Sequence, residues 1–250
     1  MSSGDRLHIE EPWRRPLAGA GLDTPEAWWT DARIQIWRDI RERQNGLLTL
    51  GDGRFHVKRL RPPHGLEVNR EVEGIRLLEA AGIDTVPLVA WGQSGDGRGL
   101  LVTSDLAGFR PADRRLAEGE PFARISSATA AVAGRLHRAG LHHRDLYLCH
   151  FLLNDAGDVR LIDAARVRRL PWLRRRRWIV KDLAQFRYSA RQAGASEAEL
   201  DAWLADWCGD GWDARRMRPG VVRKAAWIAR HDARLAQSQP ERYATLRARE

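Results

Sequence analysis

Four residues carry side chains whose placement calls for chemistry. Lys58 lies in "RFHVKRL", where alternation puts Phe55 and Val57 on one face and His56 and Lys58 on the other. A lysine on a rigid, half-buried strand has its ammonium aimed, which suits a point charge on a phosphate. In the following "EVNREVEGIRLLEAAGI", helical periodicity makes Val68, Val72, Ile75 and Leu78 an apolar stripe. Glu71 falls inside that stripe, whereas Glu73 falls on the polar face with Asn69, Arg70 and Arg76. A carboxylate on a buried face needs a cation, and Lys58 on the strand just before is the natural candidate. The other two are Asp145, in "HHRDLYLCHFLLND", and Asp163, in "VRLID". "LYLCHFLL", the turn "NDAGD" and "VRLID" read as strand, turn, strand, which returns Asp163 to the loop that begins at Asp145. Carboxylates brought together in this way repel, and the usual remedies are a bound divalent cation or a division of roles.

Taken singly, each has an ordinary explanation: an exposed strand lysine, a surface glutamate, two aspartates capping turns. The ordered set does not. A lysine on a strand, a glutamate inside a helix, an aspartate in a His-Arg-Asp loop and an aspartate after an apolar strand form the part list of a protein-kinase-like phosphotransferase. Five residues past Asp145, where such a loop carries a metal-binding Asn, stands His150. Imidazole is a poor ligand for Mg²⁺, so His150 is a candidate at the metal site or in catalysis without being a simple substitute for Asn.

The elements around these residues read as α+β. "GLLTL" and "RFHVKRL" form a hairpin across "GDG", and "TVPLVAWG" and "GLLVTSDL" add strands. "PFARISSATAAVAGRLHRAG", "WIVKDLAQFRYSARQAG" and "SEAELDAWLADWCGD" are helices, the last opening on a capping box of Ser196 and Glu199. Residues 1–35 read as a loosely held extension, apart from a short helix in "TPEAWWTD" capped by Thr24. Residues 36–250 read as one kinase-like domain, bilobal, with a small sheet lobe and its one key helix over about 36–104 and a larger, mainly helical lobe over about 105–250.

With these residues in place, "HHRDLYLCHFLL", "LIDAAR" and "RRRWIVKDLAQFRYSA" resemble the lipopolysaccharide core kinases, the heptose and Kdo kinase group. The resemblance runs from about Leu47 to the C-terminal helices and is most specific between His142 and Ser189. It implies a protein-kinase-like fold and ATP-dependent, Mg²⁺-assisted phosphorylation of a sugar hydroxyl on an anionic glycolipid. By position it implies that Lys58 holds nucleotide phosphates and Glu71 orients Lys58, with Thr103 and Asp105 also at the nucleotide. Asp145 would accept or orient the hydroxyl proton and Asp163 would bind Mg²⁺. His143, Arg144 and Asp182 would brace the loop from behind. Two departures stand out: no GxGxxG precedes Lys58, and Ala164 and Ala165 follow Asp163 where a protein kinase has Phe-Gly.

Composition narrows the partners. The formal charge is +9, but only Lys58, Lys181 and Lys224 among 42 basic residues are lysines, a skew that reads as genomic base composition as much as function, so net charge alone is weak evidence for a partner. The densest cluster, Arg174, Arg175, Arg176 and Arg177 between Trp172 and Trp178, reads either as a solvated loop or as a surface for acidic sugars and lipid headgroups. No nucleic-acid motif accompanies it. Two cysteines make no disulfide framework, and no apolar run approaches the ~20 residues needed to span a bilayer. A cytoplasmic enzyme, peripheral on the inner membrane, is expected. The rival readings are an aminoglycoside-kinase-like enzyme and a catalytically silent glycolipid-binding protein.

Overall fold

The computed structural model describes residues 5–209 and 211–240, which divide into two compact units. The first unit takes in the described residues up to Leu77 together with Thr85–Ala107. It holds an antiparallel sheet of β1 (Arg6–Ile9), β2 (Gln35–Ile40), β3 (Arg43–Leu50), β4 (Gly53–Leu60), β5 (Leu88–Gln93) and β6 (Gly99–Ser104), in the order β1-β5-β6-β4-β3-β2. The expected hairpin is β3–β4, with Asn45 opposite Lys58. Helices α1 (Arg14–Gly19) and α2 (Pro25–Thr30) pack on this sheet; Thr24 caps α2, its hydroxyl accepting from the Ala27 amide.

The N-terminal residues depart from the loosely held extension expected for 1–35. β1 pairs with β5, a strand more than eighty residues away, and Gly92 permits the approach because a Cβ there would collide with the Arg6 carbonyl oxygen. Leu17, Leu22 and Trp28 are fully buried against Leu48, Phe55 and Val102. Burial of such side chains is worth roughly 1.5–3 kcal/mol each, enough to hold a polar, Pro- and Gly-punctuated stretch in place. Residues 1–4 lie outside the described part.

Helix α3 (Glu67–Ala80) presents the stripe expected of it: Val68, Val72, Ile75 and Leu78 are all buried. It ends at Gly82, whose φ of +65° is the left-handed conformation that glycine adopts without strain.

The second unit, Leu78–Asp84 with the described residues from Gly108 onward, is mainly helical. Its helices are α4 (Ala112–Ala117), α5 (Ala123–Arg138), α6 (Arg175–Gln192), α7 (Glu197–Cys208) and α8 (Ala214–Ser238). The Ser196–Glu199 capping box opens α7. Phe186 of α6 stacks on Trp203 of α7 at 3.8 Å between ring centres and meets Phe151 edge-on. Short strands complete the unit: β7 (Arg110–Pro111), β8 (Leu141–His142), β9 (Phe151–Leu153), β10 (Val159–Leu161) and β11 (Arg168–Arg169). The strand–turn–strand expected after Asp145 is β9–β10, shorter than "LYLCHFLL" suggests because Leu148–His150 form a 3-10 turn. Cys149 and Cys208 are both buried and reduced.

Candidate active site

In the sheet unit, β4 carries Lys58 toward α3. Its ammonium donates to both carboxylate oxygens of Glu71 at 2.6 Å, with side chains 21% and 12% exposed. The pairing follows from period alone: Lys58 is on the face of β4 opposite the buried Phe55 and Val57, and Glu71 interrupts the apolar stripe of α3. On the neighbouring strand β6, Thr103 is buried and lies opposite His56. Asp105, just past β6, accepts from His56 at 2.8 Å, and its amide donates to the Arg54 carbonyl.

In the helical unit, the Asp145 loop and the Asp163 segment are tied together by two histidines. His143, fully buried, donates from Nε2 to the Ile162 carbonyl at 3.0 Å. His150 donates from Nδ1 to the Asp145 carbonyl at 2.7 Å, and its own carbonyl accepts from the Ile162 amide at 2.9 Å. The Nδ1 hydrogen bond orients the ring so that Nε2 of His150 lies 3.6 Å from the Asp163 carboxylate. Among the described residues only Arg144, at φ +72°, and Asp163, at φ +58°, are non-glycine residues in the left-handed region. Such conformations cost of order 1–3 kcal/mol and persist where surrounding contacts enforce them.

For Arg144 those contacts come from Asp182 on α6. Fully buried, its carboxylate accepts the His143 amide at 2.7 Å and the Arg144 amide at 2.9 Å. It also accepts from His137 Nε2 at 3.3 Å, and His137 Nδ1 in turn accepts from the Trp207 indole at 3.0 Å, which fixes the tautomer. Burial alone would raise the Asp182 carboxyl, but the hydrogen bonds it accepts from His137 and from the His143 amide hold it below its ordinary value. Burial pushes the neutral His142 down to about 4.

Asp145 itself meets a residue that sequence reasoning left without a role. Arg166 Nη1 donates to both Asp145 oxygens, at 3.1 and 2.9 Å, and Gln185 Nε2 approaches at 3.4 Å. The signal was present in the arginine of "LIDAAR", three positions past Asp163. Lys181, one position before Asp182, donates to the Arg144 carbonyl. His137 and Trp207 gave no comparable sign, since their spacing is that of ordinary helix packing.

The arginine cluster divides. Instead of a solvated loop, Arg175–Arg177 form the first turn of α6. All four arginines are exposed; Arg175 also donates to the His137 carbonyl and lies over Trp212, and Arg176 donates to the Arg216 carbonyl. Just before them, Trp172 and Leu173 are 88% and 84% exposed.

The fold and the order of these side chains are those of a protein-kinase-like phosphotransferase. The chain belongs to the lipopolysaccharide kinase (Kdo/WaaP) family, whose model matches residues 56–215. It is 30% identical over 284 aligned positions to lipopolysaccharide core heptose(I) kinase WaaP of Pseudomonas aeruginosa PAO1, covering 96% of this chain and 99% of that protein. The kinase of the same name from Escherichia coli K12 is 27% identical over 156 positions, 54% of this chain and 57% of that one. Among solved structures, WaaP in complex with acyl carrier protein superposes with a TM-score of 0.71 at 28% identity, covering 92% of this chain and 99% of that chain. A crystal structure of WbdD, at 21% identity and a TM-score of 0.52 over 77% of this chain and 46% of that one, shares the fold.

Proposed function

We propose that this protein transfers the γ-phosphoryl group of ATP to a hydroxyl of a heptose in the lipopolysaccharide core. The observation that carries the acceptor is the alignment with the P. aeruginosa heptose(I) kinase over nearly the whole of both chains. Lys58, aimed by Glu71, binds the nucleotide phosphates. Thr103 and Asp105 line the nucleotide; with the Asp105 carboxylate held by His56 and its amide by Arg54, its carbonyl oxygen is the group left for the base. Asp145 orients the attacking hydroxyl and takes its proton. Arg166 aims the Asp145 carboxylate and sets a positive charge beside the oxygen that attacks.

Mg²⁺ is held through one or two carboxylates with phosphate and water oxygens rather than by an all-protein cage. Asp163 fits that role, and among the described residues no group of three or more His, Cys, Asp or Glu forms a cage. Bound there, the ion neutralises phosphate charge. His150 serves the site by clamping the backbones of Asp145 and Ile162, its Nδ1 being committed to the Asp145 carbonyl. His143, Arg144 and Asp182 hold the loop in its left-handed turn.

The acceptor is anionic and membrane-embedded, and the exposed Trp172 and Leu173 beside Arg174–Arg177 suit contact with the inner membrane's cytoplasmic face. Basic residues there contribute about 1 kcal/mol each. No helix among the described residues is long and apolar enough to cross a membrane. The test is an acceptor screen with Mg-ATP: heptose-bearing lipopolysaccharide cores, heptose-less cores and aminoglycosides. Phosphate on heptose alone supports the reading; transfer to aminoglycosides, or to heptose-less cores at the same rate, overturns the acceptor.

A further inference from the structure

We propose that the groove between α6 and α8 is the subsite that holds the carboxylate and phosphate substituents of the glycolipid acceptor. The inference rests on the kinase reading above and adds to it where the acceptor's charge is bound.

The groove encloses about 950 Å³. Arg176, Arg177 and Lys181 line it from α6, and Arg223, Lys224 and Arg230 line it from α8. Helix α8 buries its other stripe, Met217, Val221, Ala225 and Ile228, in the unit's core, which leaves this face for the groove. Among the described residues none of the six cations makes an ion pair with a carboxylate. The polar contacts that Arg176 and Lys181 make are with backbone carbonyls, of Arg216 and Arg144. Lys224 lies 3.3 Å above the Trp227 ring, and burial together with the nearby Arg177 charge pushes its ammonium below its ordinary value. A fold does not gather like charges around a concave site without cost, and a polyanion offsets that cost on binding.

Position selects the occupant. Lys181 lines the groove and also donates to the carbonyl of Arg144, the residue before Asp145. Trp178 forms another part of the wall and packs on the same loop, with the Arg144 guanidinium 5.0 Å and the His142 ring 4.8 Å from its ring centre. The groove therefore ends against the loop that carries Asp145. An anionic group seated there presents the attached sugar to that loop. Trp172 and Leu173, the exposed apolar pair suited to a flat layer of headgroups, do not line the groove, whereas a single sugar substituent can enter between two helices.

The experiment uses the full chain and a delipidated inner-core oligosaccharide bearing carboxylates and phosphate, so that no bilayer contributes. In Arg223→Ala/Lys224→Ala, KM for the oligosaccharide should rise about tenfold, equivalent to about 1.4 kcal/mol, with KM for ATP unchanged. Arg223→Lys/Lys224→Ala should recover part of the loss. Tryptophan fluorescence titration on an Asp145→Asn background should show the same weakening without turnover, and melting curves establish that the variants are folded. Unchanged oligosaccharide KM and binding would overturn the inference, including the case in which only binding to anionic phospholipid vesicles falls, which would assign the groove to the bilayer. If the oligosaccharide binds through Arg223 and Lys224 but wild-type protein never phosphorylates it, the groove stands and the kinase reading falls.

Discussion

Replacing Asp182 by Asn tests how the catalytic loop is held. One oxygen of the carboxylate accepts the Arg144 amide and the other accepts both the His143 amide and His137 Nε2. An asparagine amide has one oxygen, so whichever way it turns, its NH₂ faces at least one backbone N–H in a fully buried site. Trp207 holds His137 in its tautomer, so the imidazole cannot invert to accept instead. A buried donor left without a partner costs about 1–3 kcal/mol, and losing the charged acceptor weakens the remaining bonds, for a total of roughly 2–4 kcal/mol. For a chain of this size that lowers Tm by roughly 5–15 °C. Arg144 then lacks the contact that enforces its left-handed backbone, and Asp145 loses its aim. A misplacement near 1 Å reduces kcat by about 10²-fold. KM for ATP should hold, because Lys58 and Glu71 belong to the other unit. Calorimetry and steady-state kinetics on the purified variant measure both effects. An Asn variant with wild-type Tm and kcat would refute the network, and a lowered Tm with unchanged kcat would reduce Asp182 to a structural role.

Glu71→Gln keeps the shape of the Lys58 pair but removes its charge, and kcat/KM for ATP should fall roughly tenfold or more, as expected for loss of a largely buried ionic contact; equal kinetics would mean that Lys58 needs no orienting. Arg166→Ala should lower kcat with little change in KM for ATP, while a rise in activity would show that Arg166 obstructs Asp145 instead of aiming it. Because burial pushes His142 down to about 4, it stays neutral in the folded protein while the unfolded chain takes up a proton below about pH 6.5. Its effect is absent above pH ~6.5 and grows as pH falls to ~4, reaching about 3 kcal/mol of lost stability. Urea midpoints at pH 7.5 and 4.5 should therefore shift less in His142→Phe than in wild type; equal shifts would contradict the assignment.

The site was legible in the sequence where short periods governed it. Helical spacing singled out Glu71 over Glu73, and strand alternation aimed Lys58; both follow from local geometry and one buried charge seeking a partner. The turn between β9 and β10 similarly foretold that Asp163 returns to the Asp145 loop. What the sequence concealed depended on distant pairings. β1 finds its partner in β5 across most of the first unit, and the alternation of its four residues, Arg-Leu-His-Ile, is too short a run to announce a strand by itself. Arg166 closes on Asp145 only because His143 and His150 clamp the two segments, and His137 gains meaning only from Asp182 and Trp207, forty-five and seventy positions on. The arginine run looked like a loop because it has no cap and follows a proline, yet it begins a helix. Its opposite wall in the groove, on α8, is set by tertiary packing alone.

The measurement that bears most directly on the central claim is transfer of labelled phosphate from Mg-ATP to a purified heptose-bearing lipopolysaccharide core, with wild type and Asp145→Asn side by side. Label is expected on the heptose with wild type and none with Asp145→Asn, both proteins being folded and both binding ATP. Label at the same rate with Asp145→Asn, or an unlabelled core with wild type, would contradict it.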